Sequence, residues 1–248
     1  MARRRKLDNR VRDAVKHFWQ TRTQQDQEQG SRSGQRDQGN RTAATGGRQL
    51  DGFVDLICQL LRESGVPDSA IFCRGRDALT LPGFFRPTKQ WDVLAVSEGN
   101  LLASIECKAL CGPSFGNNYN NRVEEALGSA NDIWTAFREG TFLSSPRPFV
   151  GYVLLLEDAE ESTRPVRVSQ KHFDVPVEFL HSSYSQRCEE SLRRMLRERC
   201  YDSAALILSD RKRGTKGSFN QPAEDLTFQR FSSIMCSHVS GAYRALSE

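Results

Sequence analysis

Apolar residues recur along the chain at two spacings, and together they predict an α/β domain. A spacing of three and four positions predicts helices over residues 7–22, 51–64, 123–138, 184–199 and 225–246. Unbroken apolar runs at 149–156 and 204–208 are typical of central strands that are buried on both faces. We therefore expect a mixed central β-sheet flanked by helices.

The stretch 88–110 carries the pattern on which the functional interpretation depends. Apolar runs on either side of residues 97–100 predict a β-hairpin. A three-residue turn there would set Asp92 directly opposite Glu106, as cross-strand neighbours. Lys108 follows Glu106 by two positions, so it points to the same face. The hairpin is expected to gather two carboxylates and one ammonium at one end of one face.

Two facing carboxylates repel each other, and a hard divalent cation is the natural reason to place them together. Mg²⁺ prefers one or two carboxylates, water and substrate phosphate oxygens. Such an ion polarises a phosphoryl group and makes bound water a better nucleophile, and a lysine can orient that water and stabilise the developing charge. The pattern predicts phosphodiester hydrolysis. A solvated hairpin end with an ordinary Glu-x-Lys is the alternative.

Polar stretches near the hairpin supply candidates for contacts with DNA. Four asparagines fall within residues 117–121, and their side chains suit base edges or phosphates, although asparagine also favours turns and caps. A basic loop at 209–217 follows a predicted strand and suits phosphates, a solvated charge run being equally compatible. The candidates are Lys89, Ser114, Asn117, Asn118, Asn120, Asn121, Arg122, Arg211, Lys212 and Arg213.

Two further stretches give alternatives that the sequence leaves open. The segment 79–89 is irregular, and we expect Phe84 and Phe85 to be anchored inside, with Arg86 either beside a phosphate or on the surface. Asp51 begins a helix, where an acid is favoured by the helix dipole alone. Asp51 or Asp55 is the alternative candidate for an additional metal-binding carboxylate.

Composition limits the class of protein without identifying it. The chain has 248 residues, of which 38% are hydrophobic and 27% charged, with a net charge of +4. This balance permits a polyanionic partner but does not require one. No apolar segment follows the basic start, so we expect no export signal. Seven scattered cysteines are typical of reduced thiols in a cytoplasmic protein.

Composition along the chain predicts three segments. Residues 1–22 are expected to form an amphipathic helix that packs on the core or on a partner subunit or, alternatively, lies on DNA phosphates. Residues 23–47 are rich in Gln, Gly and Arg, and they predict a flexible polar loop, whose arginines alternatively fold onto a polyanion. Residues 48–248 are expected to form a single domain, which contains the hairpin 88–110 and would carry out the predicted phosphodiester hydrolysis as a nuclease domain.

Asp92 followed by Glu106-Cys107-Lys108 resembles the PD-(D/E)xK nuclease pattern, with Trp91 in place of the usual proline. The longer strings at 46–53, 81–93 and 112–126 resemble the XhoI family of type II restriction endonucleases. This resemblance implies a restriction-endonuclease-like core and a Mg²⁺-dependent homodimer that cleaves double-stranded DNA. It also implies cleavage of CTCGAG after the first C to leave 5′ overhangs, in the bacterial cytoplasm. A cognate DNA methyltransferase would act on the same site without a stable complex.

By the same resemblance, Asp92 and Glu106 would bind Mg²⁺, with the Cys107 backbone carbonyl as a further ligand. Lys108 would act on the attacking water, and Asp51 stays a candidate additional ligand. Two other functions stay open on the residues alone. One is a repair or structure-specific nuclease with the same core, and the other is a DNA-binding module without catalysis.

Overall fold

A computed structural model of the chain describes residues 2–33 and 47–247. Its α-helices are α1 (Ala2–Ser33), α2 (Asp51–Glu63), α3 (Phe115–Arg138), α4 (Glu160–Thr163), α5 (Tyr184–Arg197), α6 (Arg211–Gly214) and α7 (Phe228–Ser247). Its strands are β1 (Ile71–Phe72), β2 (Thr80–Pro82), β3 (Thr88–Gln90), β4 (Val93–Ser97), β5 (Asn100–Leu110), β6 (Phe149–Glu157) and β7 (Ser203–Ser209).

Five strands form the central sheet, in the order β1-β4-β5-β6-β7. The pairs β1–β4 and β4–β5 are antiparallel, whereas β5–β6 and β6–β7 are parallel. Parallel neighbours need crossover connections, which here contain α3 and then α4 and α5. Strands β2 and β3 pair separately as a short antiparallel ribbon. The predicted mixed sheet flanked by helices is confirmed.

Side chains on the two faces of the sheet contact different helices, because successive residues of a strand point to opposite faces. Ile105 and Cys107 of β5 belong to a core that includes the buried residues of α1, α2 and α7. Leu110 belongs to a second core, built with α3 and α5. Glu106 and Lys108, which alternate with Ile105 and Cys107, therefore lie on the α3–α5 face. Every residue of β6 and β7 is buried, as their apolar runs predicted. Strand β6 is central, whereas β7 lies at one edge of the sheet, which corrects the prediction of a central strand there.

Helix α1 is longer than the sequence pattern predicts. The expected boundary at residue 22 is wrong, because the helix continues to Ser33 through residues that are mostly polar. Gln, Arg and Glu are good helix formers even without an apolar stripe, and the apolar period alone misses such an extension. The rest of the predicted flexible loop, residues 34–46, lies outside the described residues.

The first part of α1 is an integral part of the core. Phe18 and Trp19 are fully buried, with their rings in edge-to-face contact. Trp19 Nε1 donates a hydrogen bond of 3.0 Å to Ser209 Oγ at the end of β7. The apolar stripe of this helix therefore packs on the core of the domain.

The β4–β5 hairpin has the expected register at the end near Asp92, but its turn and its strand pairing differ from the prediction. Its turn has two residues, Glu98 and Gly99, both with positive φ, and not the predicted three. A β-bulge between Ala95 and Val96 then shifts the register by one residue. Val93 consequently faces Ile105, which sets Asp92 beside Glu106 as predicted.

All seven cysteines carry free thiols, as expected. None of the helices within residues 2–33 and 47–247 combines the length and the apolar character required to cross a bilayer.

Trp19→Ala should destabilise the protein strongly, because it removes a buried indole and leaves the Ser209 hydroxyl without its donor. We expect a loss of about 3–5 kcal/mol in the free energy of unfolding, measured by urea denaturation. Lys16→Ala, an exposed change on the same helix, is the matched control. A loss below about 1 kcal/mol for Trp19→Ala, the size of a surface effect, would contradict the role given to α1.

Candidate active site

Asp92 lies just before β4 and is fixed against β5 by its own carboxylate. Its backbone N–H donates to the Ile105 carbonyl at 3.2 Å. Its Oδ2 accepts a hydrogen bond of 2.7 Å from the backbone N–H of Cys107, the residue between Glu106 and Lys108. The register of the hairpin therefore brings the three predicted side chains together at one place.

Glu106 is the centre of this group and is only 3% exposed. Its Oε1 lies 2.7 Å from Lys108 Nζ and 3.0 Å from Lys89 Nζ. Its Oε2 is buried and has no hydrogen-bond partner among the described residues. A buried carboxylate oxygen without a partner is costly, so a cation or a hydrogen-bond donor at this position would stabilise it.

Lys89 lies beside Glu106 as well, a position that the sequence analysis did not predict. It was expected to contact DNA, whereas its ammonium is directed inwards and shares Glu106 Oε1 with Lys108. The ammonium also lies 4.5 Å from the centre of the Trp91 ring, in cation–π contact. Trp91, which stands where related nuclease patterns have proline, thus helps to hold a second lysine in the site. We call Asp92, Glu106, Lys89 and Lys108 the charged cluster.

The members of the charged cluster differ in how firmly they hold their charge. Burial raises the pKa of Asp92, and the opposing effects of Lys108 and the Cys107 N–H do not cancel it. Burial acts in the same direction on Glu106, but the charges of Lys108 and Lys89 outweigh it and lower its pKa. Burial and Arg122 act to lower the pKa of Lys108, yet Glu106 and Asp92 raise it. Glu106 and Lys108 therefore favour each other's ionised form, whereas burial opposes the ionisation of Asp92.

The residues present fit a hard divalent cation. Two facing carboxylates supply oxygen donors of the kind that Mg²⁺ prefers. The unpartnered Glu106 Oε2 is an acceptor without a donor, and a nearby cation would also favour the ionised form of Asp92. The donors that the chain can offer are thus Asp92, Glu106 and, beside them, the backbone of Cys107.

A third carboxylate does not join this group. Within the described ranges, no three His, Cys, Asp or Glu side chains lie close enough to hold a metal ion together. Asp55 forms an ion pair of 2.6 Å with Arg74. Asp51 begins α2, which packs on the opposite face of the sheet from Glu106. The sequence pattern could not predict on which face of the sheet α2 packs, because this helix precedes all the strands of the sheet in the chain.

The asparagine-rich stretch is helical, which corrects the predicted helix start at residue 123. Helix α3 begins at Phe115 and not at 123, anchored by Phe115 stacking on Tyr184. Asn118 Nδ2 donates to the Cys111 carbonyl at 2.9 Å and so holds the loop that leads into the helix. The other three asparagines and Ser114 are exposed, at Ser114, Asn117, Asn120 and Asn121.

Arg122 lies closer to the charged cluster than the rest of that stretch. It pairs with Glu125 at 3.0 Å and retains 25% exposure of its side chain. The charge of Arg122 acts to lower the pKa of Lys108. The two cations therefore lie within electrostatic reach of each other, on the same face of the sheet. Among the predicted DNA contacts outside the cluster, Arg122 is the one that this geometry places beside it.

The predicted basic loop at 209–217 contains the short helix α6, capped by the Asp210 carboxylate. Arg211 pairs with Glu157 at 3.3 Å and with Asp26 at 2.9 Å, and Arg213 pairs with Asp210 at 2.7 Å. Lys212 forms no ion pair with any residue that the structure describes. The positive charge of this stretch is therefore partly neutralised.

The loop between β2 and β3 departs most from expectation. Phe84 and Phe85 were predicted to be buried, and they are 50% and 65% exposed. Asp132 of α3 fixes the loop by accepting hydrogen bonds from both backbone N–H groups and from Arg86 Nε, each 2.8 Å. No local signal predicts this, because the contacts join residues that lie far apart in the chain.

A mixed α/β sheet that presents two carboxylates and a lysine at one place fits a metal-dependent nuclease, and the comparisons agree. The family model "Restriction endonuclease XhoI" matches residues 29–221. The type II restriction enzyme BstVI of Geobacillus stearothermophilus is 47% identical over 210 residues, covering 83% of this chain and 93% of the relative. The type II restriction enzyme XhoI of Xanthomonas vasicola is 43% identical over 189 residues, covering 76% and 75%. The type II restriction enzyme AbrI of Azospirillum brasilense is 46% identical over 166 residues, covering 67% and 73%.

The chain belongs to the XhoI family of type II restriction endonucleases. It is a type II restriction enzyme, a nuclease whose substrate is DNA, as the resemblance implied. This assignment favours restriction over the two alternatives, a repair nuclease and a non-catalytic binding module. Enzymes of this type generally use Mg²⁺. No solved structure matches the chain significantly.

Asp92→Asn should stabilise the metal-free protein at neutral pH while removing cleavage. A carboxylate whose pKa is raised on folding contributes stability below its ordinary pKa of 3.8, and this contribution is lost as the pH rises through the raised value. Asparagine carries no charge, so it avoids the loss. We expect a higher urea midpoint than wild type at pH 8 in EDTA, with the difference disappearing in acid.

The matched control is Asp13→Asn, an exposed aspartate of α1, which should leave the urea midpoint unchanged. An Asp92→Asn protein that is no more stable than wild type at pH 8 in EDTA would show that this carboxylate is not held at an energetic cost.

Proposed function

We propose that this enzyme cuts both strands of the palindrome CTCGAG after the first C, leaving 5′ overhangs. The observation that carries the proposal is the convergence of Asp92, Glu106 and Lys108 at one end of the hairpin, in a chain of this family. The sequence of the site rests on the family resemblance, since the residues that would read bases are not themselves diagnostic of CTCGAG.

The metal ligands in this proposal are Asp92, Glu106 through its unpartnered Oε2, and the Cys107 backbone carbonyl. When bound, Mg²⁺ would polarise the scissile phosphoryl group and lower the pKa of the attacking water. Asp92 is already oriented by the Cys107 N–H, so little rearrangement of that side chain is needed for it to act as a ligand. Asp51 is not part of the proposed set.

Lys108 acts as an ammonium in this account, because its raised pKa keeps it protonated. From 2.7 Å beside Glu106 it would orient the attacking water by hydrogen bonding. It would also stabilise the negative charge that grows on the phosphate oxygens in the transition state. This electrostatic role agrees with its position next to, rather than apart from, the carboxylates.

Contacts with the DNA backbone are assigned in order of their distance from the charged cluster. Lys89, within the cluster, and Arg122, beside it, would bind the phosphates nearest the cut. The exposed side chains at the start of α3, Ser114, Asn117, Asn120 and Asn121, would contact bases or phosphates further along. Asn118 would support them by holding the preceding loop. Lys212, with Arg211 and Arg213 beside it, would add weaker backbone contacts.

A homodimer follows from the symmetry of the substrate. The described residues of one chain contain one charged cluster, which serves one strand. Two copies related by a two-fold axis would place one cluster at each strand of a palindrome. A cognate methyltransferase would modify the same sequence in the host DNA and so protect it, without forming a stable complex with this enzyme.

Lys108→Ala should lower the cleavage rate by about 10²–10⁴-fold, the usual contribution of a positioned catalytic group. DNA affinity in a metal that does not support cleavage should change only a few-fold, because many other cations contact the backbone. Lys171→Ala, an exposed lysine remote in sequence from the site, should cleave like wild type. Cleavage by Lys108→Ala at the wild-type rate would remove this residue from the mechanism.

A plasmid that carries a single CTCGAG should be converted to the linear form in Mg²⁺, and sequencing of the ends should show four-base TCGA 5′ overhangs. A matched plasmid with one base pair of the site exchanged should stay uncut, because a wrong base pair typically costs about 1–3 kcal/mol of recognition. Ends that map to another sequence would refute the proposed site while leaving the family assignment intact.

A further inference from the structure

We propose that Phe84 and Phe85 form an aromatic wedge that inserts at a base-pair step of the bound duplex, close to the cleaved phosphate. The inference rests on the proposed function in one respect only, which is that DNA places a phosphate at the charged cluster. It adds a DNA-contacting element that lies outside the catalytic residues and the predicted polar contacts.

The first observation is that two large apolar rings are presented to solvent side by side. Phe84 is 50% exposed and Phe85 is 65% exposed. Their ring centres are 4.9 Å apart with an angle of 83° between the planes, an edge-to-face pair. Single exposed apolar residues are common, but an adjacent aromatic pair leaves unburied the surface that would otherwise favour folding.

The second observation is that a buried group of another element holds this pair in place. Asp132 of α3 is 3% exposed, and its Oδ1 accepts from the N–H groups of both phenylalanines while Oδ2 accepts from Arg86. Gly83 fits closely against the same carboxylate, since a Cβ there would lie 2.5 Å from Asp132 Oδ2. A loop that merely failed to bury its rings would not need a buried carboxylate to fix its backbone. The pair is preorganised.

The third observation is the position of the loop relative to the charged cluster. Strand β3 leads directly from the loop to Lys89, whose ammonium contacts Glu106. The three Cα–Cα steps from Arg86 to Lys89 span at most about 10 Å, which corresponds to about three base pairs of duplex. Arg86 and Glu106 also both influence the pKa of the buried Tyr201 hydroxyl through their charges. The loop therefore lies on the face of the sheet that carries the site.

Duplex DNA is the occupant that these observations favour. Apolar side chains that enter between base pairs unstack them and kink the helix, and cations beside them compensate the phosphates. Here both cations follow the rings in the chain: Arg86 keeps 43% of its side chain exposed beside Asp132, and Lys89 contacts Glu106 in the charged cluster. Pyrimidine–purine steps deform most easily, and the central C-G step of CTCGAG is of that kind.

The test uses the full-length enzyme and a short duplex in which 2-aminopurine replaces an adenine within or beside the site. The complex forms in Ca²⁺, so that the DNA stays intact. With wild type we expect fluorescence to rise on binding, because the probe is unstacked. The double variant Phe84→Ala/Phe85→Ala should lose this rise and bind roughly tenfold more weakly, with an unchanged melting temperature because both rings are exposed.

Phe173→Ala is the matched control, since Phe173 is 89% exposed and lies outside the β2–β3 loop. It should leave both affinity and fluorescence as in wild type. A double variant that binds and unstacks the probe like wild type would overturn the proposal. So would a double variant that loses self-association in sedimentation while it keeps the fluorescence rise, since the partner would then be a second copy.

The result stays separate from the fate of the proposed function. If wild type cleaves a sequence other than CTCGAG, the proposed site fails, and the same measurement on the sequence that it does cleave decides the wedge. If wild type cleaves CTCGAG but gives no fluorescence change at any probe position within three base pairs of the cut, the proposed site stands and the wedge is refuted.

Discussion

The burial of four charged side chains at one end of a hairpin is the constraint on which this structure depends. Asp92 and Glu106 repel each other, and Lys89 and Lys108 both donate to one oxygen of Glu106 while its other oxygen is left without a donor. Buried charges are tolerated when they are paired and hydrogen-bonded, and an incomplete network is costly. The fold nevertheless keeps these side chains together. Asp92 and Glu106 are the residues that would hold a cation, and its charge would offset their repulsion.

The surrounding elements serve to maintain this arrangement. The bulge in β4–β5 restores the register that brings Asp92 next to Glu106. The backbone N–H of Cys107 then fixes the Asp92 carboxylate by a hydrogen bond. Parallel pairing with the fully buried β6 keeps β5 rigid, so that Glu106 and Lys108 cannot turn to the opposite face. Buried α1 and α7 support that opposite face, and α3 contributes Arg122 on the side of the site. The stable core on the opposite face thus offsets the electrostatic cost of burying these charged side chains together.

Local pattern was sufficient for much of the fold and for the core of the site. Strict alternation placed Glu106 and Lys108 on one face, and unbroken apolar runs identified β6 and β7. Features that depend on distant residues could not be predicted. Lys89 turns into the cluster because Trp91 and Glu106 hold it, and Phe84 and Phe85 are held outward by Asp132. The hairpin turn was misjudged by one residue, and only the bulge, which has no strong sequence signal, preserved the pairing of Asp92 with Glu106. The polar end of α1 was missed because it lacks an apolar period.

The most direct test of the central claim is the position of a divalent cation in crystals of the protein grown with Mn²⁺, located by anomalous diffraction. If the charged cluster is an incomplete metal site, the anomalous peak lies against both Asp92 and Glu106 Oε2, and it is absent from crystals of Glu106→Gln grown in the same way. A peak that contacts neither carboxylate, or an empty cluster at a Mn²⁺ concentration that supports DNA cleavage, would contradict the account.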